Sequence, residues 1–355
     1  MERLAHRVWG ATAGLTGVLQ TRFARAFALV AMVALGGSEL GAVSASTAPG
    51  GFVRATVDAG SATRHGTSLV ASPLLNAPAF AGRVGSARTV GNTSTIKADS
   101  ASGLRPSCID ATTPHAVFVT SGDFAGFVFR VLETSRDTIT VDGQGFDLGR
   151  VLEPGETFDV RPIHTLATLF GNDATSVAFT AAGDASRADQ LLVQRNGTWR
   201  AYWFTGSRWR QSGSARDAGD DVILPNEGIV IYRRSTTALD LRFVGEAPAQ
   251  DAVLSMPAGA VSTVANPFPI DVAIGELGLE TVAGWQCGAR MEQADQVQLC
   301  VANRWVTFWH DGSRWTSSAS SNAADTIPAG AAFLVVRRPT GTDNPFALVA
   351  RPYDL

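Results

Sequence analysis

Two stretches of the chain match each other residue by residue: TWRAYWFTGSRWRQS at residues 198–212 and RWVTFWHDGSRWTSS at residues 304–318. Without a gap, Trp199 matches Trp305, Trp203 matches Trp309, and the segment GSRW recurs intact, always 106 positions later. Three matched tryptophans and an unbroken GSRW are far more than chance would give. The sequence therefore predicts an internal duplication.

The match extends in both directions from these stretches. Downstream, DDVILPNEGIVIYRR (220–234) parallels ADTIPAGAAFLVVRR (324–338). Upstream, SLVASPLLNAP (68–78) resembles STVANPFPIDV (262–272) at an offset of 194 instead of 106. The first copy is therefore predicted to hold an insertion of about 88 residues that the second copy lacks, as exposed loops tolerate whole inserted domains.

Short segments rich in β-branched and aromatic residues, separated by Gly, Asn, Asp and Pro, run through the whole chain and predict an all-β class. We expect a duplicated β-sandwich-like module, with a small β-barrel or sandwich domain inserted in the first copy. The predicted divisions are a signal peptide (1–45), a first β-module (46–80 plus 166–247), the inserted domain (81–165) and a second β-module (248–355).

The first 45 residues have the order of charges and apolar residues that is typical of a secretory signal peptide. Arginines precede the apolar run AFALVAMVALGG (26–37), and Val43-Ser44-Ala45 gives a small-x-small cleavage pattern. A membrane span needs about 20 apolar residues, so this run is too short to be a lasting anchor. We expect an exported protein (periplasmic, cell-surface or extracellular) with no transmembrane segment in the mature chain.

In the second copy, Asp311-Gly312 is typical of a two-residue hairpin loop, because a type I′ turn needs positive φ at both central positions. That loop predicts three cross-strand pairs: His310 with Ser313, Trp309 with Arg314, and Phe308 with Trp315. Side chains alternate between the two faces of a strand. The predicted core face holds Val306, Phe308 and Trp315, with Tyr202 and Trp209 in the first copy.

The opposite face of each hairpin is the candidate binding surface. It is predicted to hold Trp199, Trp203 and Arg208 in the first copy, and Trp305, Trp309 and Arg314 in the second. Tryptophans beside arginine can stack on sugar rings or on another chain, and an arginine over an indole contributes about 0.5–1 kcal/mol at an exposed site. The alternative is packing, in which the arginine stem covers the indole.

Three cysteines are present: Cys108, Cys287 and Cys300. In an oxidising compartment Cys287 and Cys300 would be able to pair across a hairpin. The alternative is three free thiols, and the sequence leaves both open.

Motifs for catalysis, metal binding and nucleic-acid binding are missing from the sequence. The five histidines are dispersed, without the His-Glu-x-x-His spacing of a zinc site, and neither a Gly-x-Ser-x-Gly nor a phosphate-binding loop occurs. Removing the four arginines and two glutamates of residues 1–45 leaves 25 basic and 30 acidic residues, which is unlike a nucleic-acid-binding protein. We expect no enzyme activity, no cofactor and no metal.

Three runs of sequence carry a resemblance to a known family: GFVRATVDAGSATRHGTSLVASPLL (51–75), FVFRVLETSRDTITVDG (127–143) and PGETFDVRPIHTLATLF (154–170). Together with the doubled GSRW pattern, they resemble an uncharacterised family of repetitive exported proteins from Verrucomicrobia-type bacteria. The likeness covers about residues 51–340. It implies a repeated β architecture and export, and no particular activity.

Taken together, the sequence predicts an exported structural or interaction protein of the cell envelope or extracellular space. The alternative is a carbohydrate-binding module that uses the duplicated Trp/Arg faces. The expected partners are accordingly another envelope protein or a polysaccharide.

Overall fold

The all-β class predicted from the sequence is confirmed by the structure, a computed structural model that describes residues 50–195, 197–319, 325–340 and 344–354. The predicted signal peptide (1–45) lies outside the described residues. The described part of the chain forms β-sheets, with two short α-helices and a few 3₁₀ turns.

The strands, in chain order, are β1 (Gly50–Val57), β2 (Gly66–Val70), β3 (Phe80–Val90), β4 (Thr93–Ala98), β5 (His115–Val119), β6 (Val128–Thr134), β7 (Thr138–Asp142), β8 (Thr157–Pro162), β9 (His164–Thr165), β10 (Gln190–Arg195), β11 (Thr198–Phe204), β12 (Trp209–Gln211), β13 (Val222–Ile223), β14 (Ile229–Arg233), β15 (Leu239–Glu246), β16 (Ala252–Ser255), β17 (Val261–Ala265), β18 (Val272–Ala273), β19 (Gln296–Val301), β20 (Arg304–His310), β21 (Trp315–Ser317), β22 (Thr326–Ile327), β23 (Ala332–Val336) and β24 (Phe346–Val349). The helices are α1 (Leu148–Val151) and α2 (Leu166–Phe170), and 3₁₀ turns span Ser100–Ser102, Pro106–Cys108, Ile274–Leu277, Leu279–Thr281 and Met291–Gln293.

Two five-stranded antiparallel sheets have the same strand order. The first sheet runs β12-β11-β10-β14-β2, and the second sheet runs β21-β20-β19-β23-β17. Their registers correspond as well: Leu191 pairs with Tyr202 in the first sheet, and Val297 pairs with Phe308, each 106 positions later, in the second. The sequence repeat thus coincides with equivalent positions in two similar sheets.

Each sheet buries one face against a two-stranded ribbon, which gives two sandwich-like cores. The ribbon β1–β15 covers the first sheet, where Tyr202 and Trp209 are among the largest fully buried side chains. The ribbon β16–β24 covers the second sheet around Phe308 and Phe333. Alternate residues are buried along β11, where the rings of Tyr202 and Phe204 point into the first core.

A buried carboxylate ties together three segments of the first core. Asp189 is fully buried, and its Oδ2 accepts hydrogen bonds from Arg233 Nη1 at 3.0 Å and from the backbone N–H of Thr180 at 2.9 Å. Its Oδ1 accepts from the backbone N–H of Arg234 at 2.6 Å. A buried charge is tolerated when it is paired and hydrogen-bonded in this way.

The second core repeats this arrangement. Asp295 is fully buried, and its Oδ2 accepts from Arg337 Nε at 3.3 Å and from the backbone N–H of Gln286 at 3.0 Å. Its Oδ1 accepts from the backbone N–H of Arg338 at 2.7 Å. The matching pairs involve the segment Ala-Asp-Gln, which occurs at residues 188–190 and 294–296, and the Arg-Arg dipeptides at 233–234 and 337–338.

Residues 80–162 form a closed six-stranded barrel in the order β3-β4-β7-β6-β5-β8. The chain enters and leaves the barrel at neighbouring points, since Asn76 Nδ2 donates to the carbonyl of Pro162 at 3.0 Å. The barrel lies where the offsets predict an inserted domain. That the segment 81–165 folds as a separate domain stays a prediction.

The barrel contacts the ribbon of the second core. The rings of Phe127 and Phe146 lie 5.4 Å and 5.2 Å from the ring of Phe346 on β24. From β8 of the barrel, Arg161 Nη1 donates to Glu246 Oε2 on β15 at 2.8 Å. Aromatic contacts and one charged pair therefore join the barrel to both ribbons.

We expect Asp295→Ala to lower the free energy of unfolding by about 3–5 kcal/mol, because it leaves the charge of Arg337 buried without its carboxylate. Lys97→Ala is the matched control, since Lys97 pairs with Asp137 at the surface, where both side chains are more than half exposed. It should cost less than about 1 kcal/mol. Urea unfolding measures both, and equal losses would contradict a special role for the buried pair.

Replacing residues 80–162 with a short Gly/Ser linker should leave the two sheets folded, because the chain ends of the barrel already lie together. Thermal unfolding followed by circular dichroism should keep one cooperative transition at a lower temperature, since Phe346 loses its aromatic cover. Loss of cooperative unfolding would show that the barrel and the sheets share one folding unit.

Candidate functional site

The hairpins that carry the predicted binding residues close through longer turns than the sequence predicts. In the second sheet His310 pairs with Trp315 and Trp309 pairs with Thr316. The predicted pairs of Phe308 with Trp315 and Trp309 with Arg314 are therefore wrong. The loop contains the four residues 311–314, not Asp311-Gly312 alone.

The side chain of Asp311 explains this turn. Its Oδ1 accepts hydrogen bonds from the backbone N–H groups of Ser313 and Arg314 at 2.8 and 2.9 Å, which fixes the chain reversal locally. Hydrogen bonds from the Ser313 hydroxyl and from these two N–H groups lower the pKa of Asp311 to about 2. Gly312 sits at φ +105°, which favours glycine.

The first sheet has the same turn. The backbone N–H of Thr205 donates to the carbonyl of Arg208 at 2.9 Å, as Asp311 does to Arg314, and Gly206 sits at φ +99°. Both arginines therefore lie within turns. The shared GSRW segment is the sequence signal of this turn.

The predicted pairing of tryptophan with Arg208 and Arg314 is also wrong. The side chain of Arg314 is 81% exposed, and its ion-pair partner is Asp311 at 3.7 Å. Arg208 is exposed as well. The residues opposite Trp203 and Trp309 are Arg210 and Thr316. The candidate surfaces are thus tryptophan faces without these two arginines.

The tryptophans themselves occupy the predicted face, because the register differs from the prediction by two residues and a two-residue shift keeps every side chain on its side. We call Trp199 and Trp203 the first tryptophan face, and Trp305 and Trp309 the second. Trp199 is 39% exposed and Trp305 46% exposed. Equivalent positions in both sheets therefore present a large ring to solvent.

The second tryptophan of each face has a different role. Trp203 and Trp309 are half-buried, and within the described residues their buried Nε1 atoms have no hydrogen-bond partner. A buried donor without a partner costs free energy, so packing of the ring must outweigh that cost. Trp203 and Trp309 thus support the sheet, and Trp199 and Trp305 carry the exposed surface.

Each exposed tryptophan lies beside an edge strand of the other sheet. Opposite Trp199 in register is Gln194, whose Oε1 accepts from the backbone N–H of Thr263 on β17 at 3.0 Å. The Nε2 of Gln194 donates to the carbonyl of Val261 on the same strand. The side-chain amide of Gln194 thus forms hydrogen bonds with one backbone N–H and one carbonyl on the edge strand β17.

The second sheet mirrors this contact. Opposite Trp305 is Cys300, whose Sγ donates to the carbonyl of Thr67 on β2 at 3.2 Å. Gln194 matches Cys300 at the offset of 106, and Thr67 matches Val261 at the offset of 194. Each sheet therefore holds the edge strand of the other through the same position.

Backbone contacts at the junction follow the same exchange. Val70 forms a bridge with Ala331, and Val264 forms the equivalent bridge with Glu227. Contacts in which each half gives and receives the same interaction define an isologous interface, as in two-fold dimers. The contacts between the two sheets are thus reciprocal, and the two tryptophan faces occupy equivalent positions in them.

Glu227 breaks this symmetry. Its Oε1 lies 2.7 Å from Arg195 Nη1, and its Oε2 accepts from the backbone N–H of Leu224 at 2.7 Å. Burial raises the pKa of Glu227 to about 7, although Arg195 favours the ionised form. At the equivalent positions the second sheet has Ala331 and Val301. Beside them lies a cleft of about 340 Å³.

Of the two alternatives that the sequence left open for Cys287 and Cys300, a disulfide or free thiols, the structure has free thiols. Cys300 lies opposite Trp305 on β20. The residue after Cys287, Gly288, donates a backbone hydrogen bond to His310, which lies five residues further along β20. Five residues of strand span roughly 16 Å at 3.3 Å per residue. A disulfide needs Cα atoms within about 7 Å.

Cys287 instead lies beside a histidine, a contact that sequence analysis missed. Its Sγ is 3.3 Å from His310 Nδ1. Burial first, and then the charges of Glu280, Asp295 and Asp311, raise the pKa of the Cys287 thiol. Residues 287 and 310 are 23 positions apart without any motif, so only the fold brings them together.

Aromatic rings surround this pair. The ring of His310 lies 5.7 Å from that of Trp315, which in turn lies 5.9 Å from Trp285, both edge to face. Trp315 Nε1 donates to Glu280 Oε2 at 3.3 Å. Among the described residues no three His, Cys, Asp or Glu side chains form a group placed to hold a metal ion.

In the described part of the chain, no helix has the length and apolar character that crossing a membrane requires.

We expect the free energy of unfolding to fall as the pH rises from about 4.5 to 7, because over this range Glu227 holds a proton in the folded protein and loses it in the unfolded chain. Glu227→Gln should remove this part of the pH dependence, at most about 3 kcal/mol. Exposed Glu292→Gln is the control. Identical pH profiles for all three proteins, measured by urea unfolding, would contradict the assignment.

Comparisons with known protein families, with curated proteins and with solved structures gave no match to this chain. The resemblance to exported proteins of Verrucomicrobia-type bacteria therefore stays a prediction.

Proposed function

We propose that the chain is an exported interaction protein of the cell envelope or extracellular space, and that its two tryptophan faces are its binding surfaces. The observation that carries this proposal is the exposure of Trp199 and Trp305 at equivalent positions of two corresponding sheets. The proposal of export rests on the charged, apolar and small residues in their order along residues 1–45.

An exposed indole on a rigid strand is well suited to binding. Tryptophan offers a large contact area with only two side-chain torsions to immobilise, so it costs little conformational entropy on association. Trp199 lies on β11, where it pairs with Gln194 of β10, and Trp305 lies on β20, where it pairs with Cys300 of β19. Both rings are therefore held in position before a partner arrives.

Two related faces favour a partner with repeated binding groups. When one face is engaged, the second binds at a high effective concentration, and the overall affinity exceeds that of either face alone. Polymers and the ordered surface of a cell envelope both present repeated groups. A structural role in the envelope fits the same surfaces.

The second candidate function is carbohydrate binding. The observation that favours it is the composition of the first face, where the exposed ring of Trp199 shares the face with Trp203 and with Arg210, which lies opposite Trp203. A flat ring beside hydrogen-bonding groups suits a sugar, whose faces are partly apolar and whose edges carry hydroxyl groups. The absence of Arg208 and Arg314 from the faces leaves the indoles to do the stacking.

We expect Trp199→Ala and Trp305→Ala each to weaken binding of the mature protein, and the double variant to weaken it by more than either one. Intrinsic tryptophan fluorescence and a glycan array identify a polysaccharide ligand. Binding to isolated cell envelopes with no glycan response would indicate a protein partner instead.

Leu132→Ala is the matched control, because Leu132 is 52% exposed on β6 of the barrel, outside both five-stranded sheets. Its binding should equal that of the unmodified protein. If binding persists in the double tryptophan variant, the two faces are not the binding surfaces.

A further inference from the structure

The surroundings of Cys287 differ from the equivalent place in the first sheet in a way that the fold does not require. The backbone N–H of Gly288 donates to the carbonyl of His310 at 3.1 Å, and Ala182 donates to Phe204 in the same way, also at 3.1 Å. These contacts align Cys287 with the preceding residue of the first sheet, Ala181.

In the first sheet this place is wholly apolar. Ala181 and Phe204 occupy the positions of Cys287 and His310, and the neighbouring rings are Phe179 and Trp209. The same backbone therefore forms without a thiol or an imidazole. In place of this apolar pair the second sheet has a thiol and an imidazole, two side-chain types that metal ions accept as ligands.

The two donor atoms have the geometry of a ligand pair. Sγ of Cys287 and Nδ1 of His310 are 3.3 Å apart. Zinc–sulfur and zinc–nitrogen bonds of about 2.3 and 2.05 Å at a tetrahedral angle place the same two atoms about 3.6 Å apart. A shift of a few tenths of an ångström suffices to bring both atoms onto one ion.

The protonation state of the imidazole is also the one that a metal needs. The backbone N–H of Gly312 points to His310 Nδ1 at 3.2 Å, and a backbone N–H only donates. Nδ1 is therefore the unprotonated nitrogen, whose lone pair accepts from this N–H with the Cys287 Sγ 3.3 Å away. Neutral imidazole is the form that binds metal ions, and a metal ion at Nδ1 would displace the hydrogen bond from Gly312.

The negative charges near Cys287 disfavour nucleophilic catalysis by its thiol and favour cation binding. Glu280, Asp295 and Asp311 act on Cys287 with negative charge. They oppose a free thiolate, so the pair is poorly suited to nucleophilic catalysis. The same charges attract a cation, and a cation bound to sulfur offsets the repulsion between the thiolate and these carboxylates.

We propose that Cys287 and His310 bind a thiophilic divalent cation of the Zn²⁺ class at the end of the second sheet. Binding breaks the S–H bond and forms a bond from sulfur to the metal, and the proton goes to solvent. Two protein donors leave the remaining coordination positions to water or to a group of a bound partner. The first sheet, with Ala181 and Phe204, has no such site.

The test uses the full-length reduced protein and Cd²⁺, whose bond to a thiolate gives an ultraviolet charge-transfer band, followed by competition with Zn²⁺. We expect one Cd²⁺ per chain, release of one proton, and displacement by Zn²⁺. Cys287→Ala should abolish the band, and His310→Phe should weaken binding at least tenfold. Both variants introduce the residue that the first sheet already accommodates.

Cys300→Ala and Cys108→Ala are the controls, and both should keep the band. Thermal unfolding of each metal-free variant checks the fold, and His310→Gln serves as a second variant if His310→Phe unfolds. No band in the unmodified protein would overturn the proposal. So would Cd²⁺ affinity that depends on Cys287 and is unchanged in folded variants of His310, since this would indicate an isolated thiol.

Discussion

The buried carboxylates of Asp189 and Asp295 are the constraint on which both sandwich-like cores depend. Each accepts hydrogen bonds from an arginine side chain and from two backbone N–H groups, so it joins the segment before one central strand to the end of its neighbour. Removing a buried charge from one partner leaves the other uncompensated. This requirement fixes how β10 meets β14 and how β19 meets β23, and the hairpins and ribbons are built outward from those pairs.

Much of the architecture could be predicted because β-strands alternate strictly. The face of Trp199 and Trp305 followed from that alternation, even though the turn was wrong by two residues. The turn could not be predicted from Asp311-Gly312 alone, because the decisive contacts come from the Asp311 side chain to Ser313 and Arg314. Arg208 and Arg314 were misplaced for the same reason. Hydrogen bonds within the turn, more than the alternation of residues along the strands, set the length of this hairpin loop.

Contacts between segments far apart in the chain could not be predicted from the sequence. The offsets located an extra segment between two matched regions, and the structure has a closed barrel there. No pattern indicated that Cys287 would lie beside His310, or that Cys300 would reach β2 instead of Cys287. Such pairs depend on how loops cross the ends of a sheet. Comparing equivalent positions of the two sheets is what separates Cys287 and His310 from residues that merely fill a core.

The isologous junction between the sheets has a consequence for how the protein behaves on dilution. Two separate subunits joined through this interface would come apart on dilution, because dissociation of a dimer depends on concentration. Here both halves belong to one chain, so their association is intramolecular and insensitive to dilution. A molecule released into a large volume would therefore keep both tryptophan faces in a fixed mutual orientation, however scarce it became.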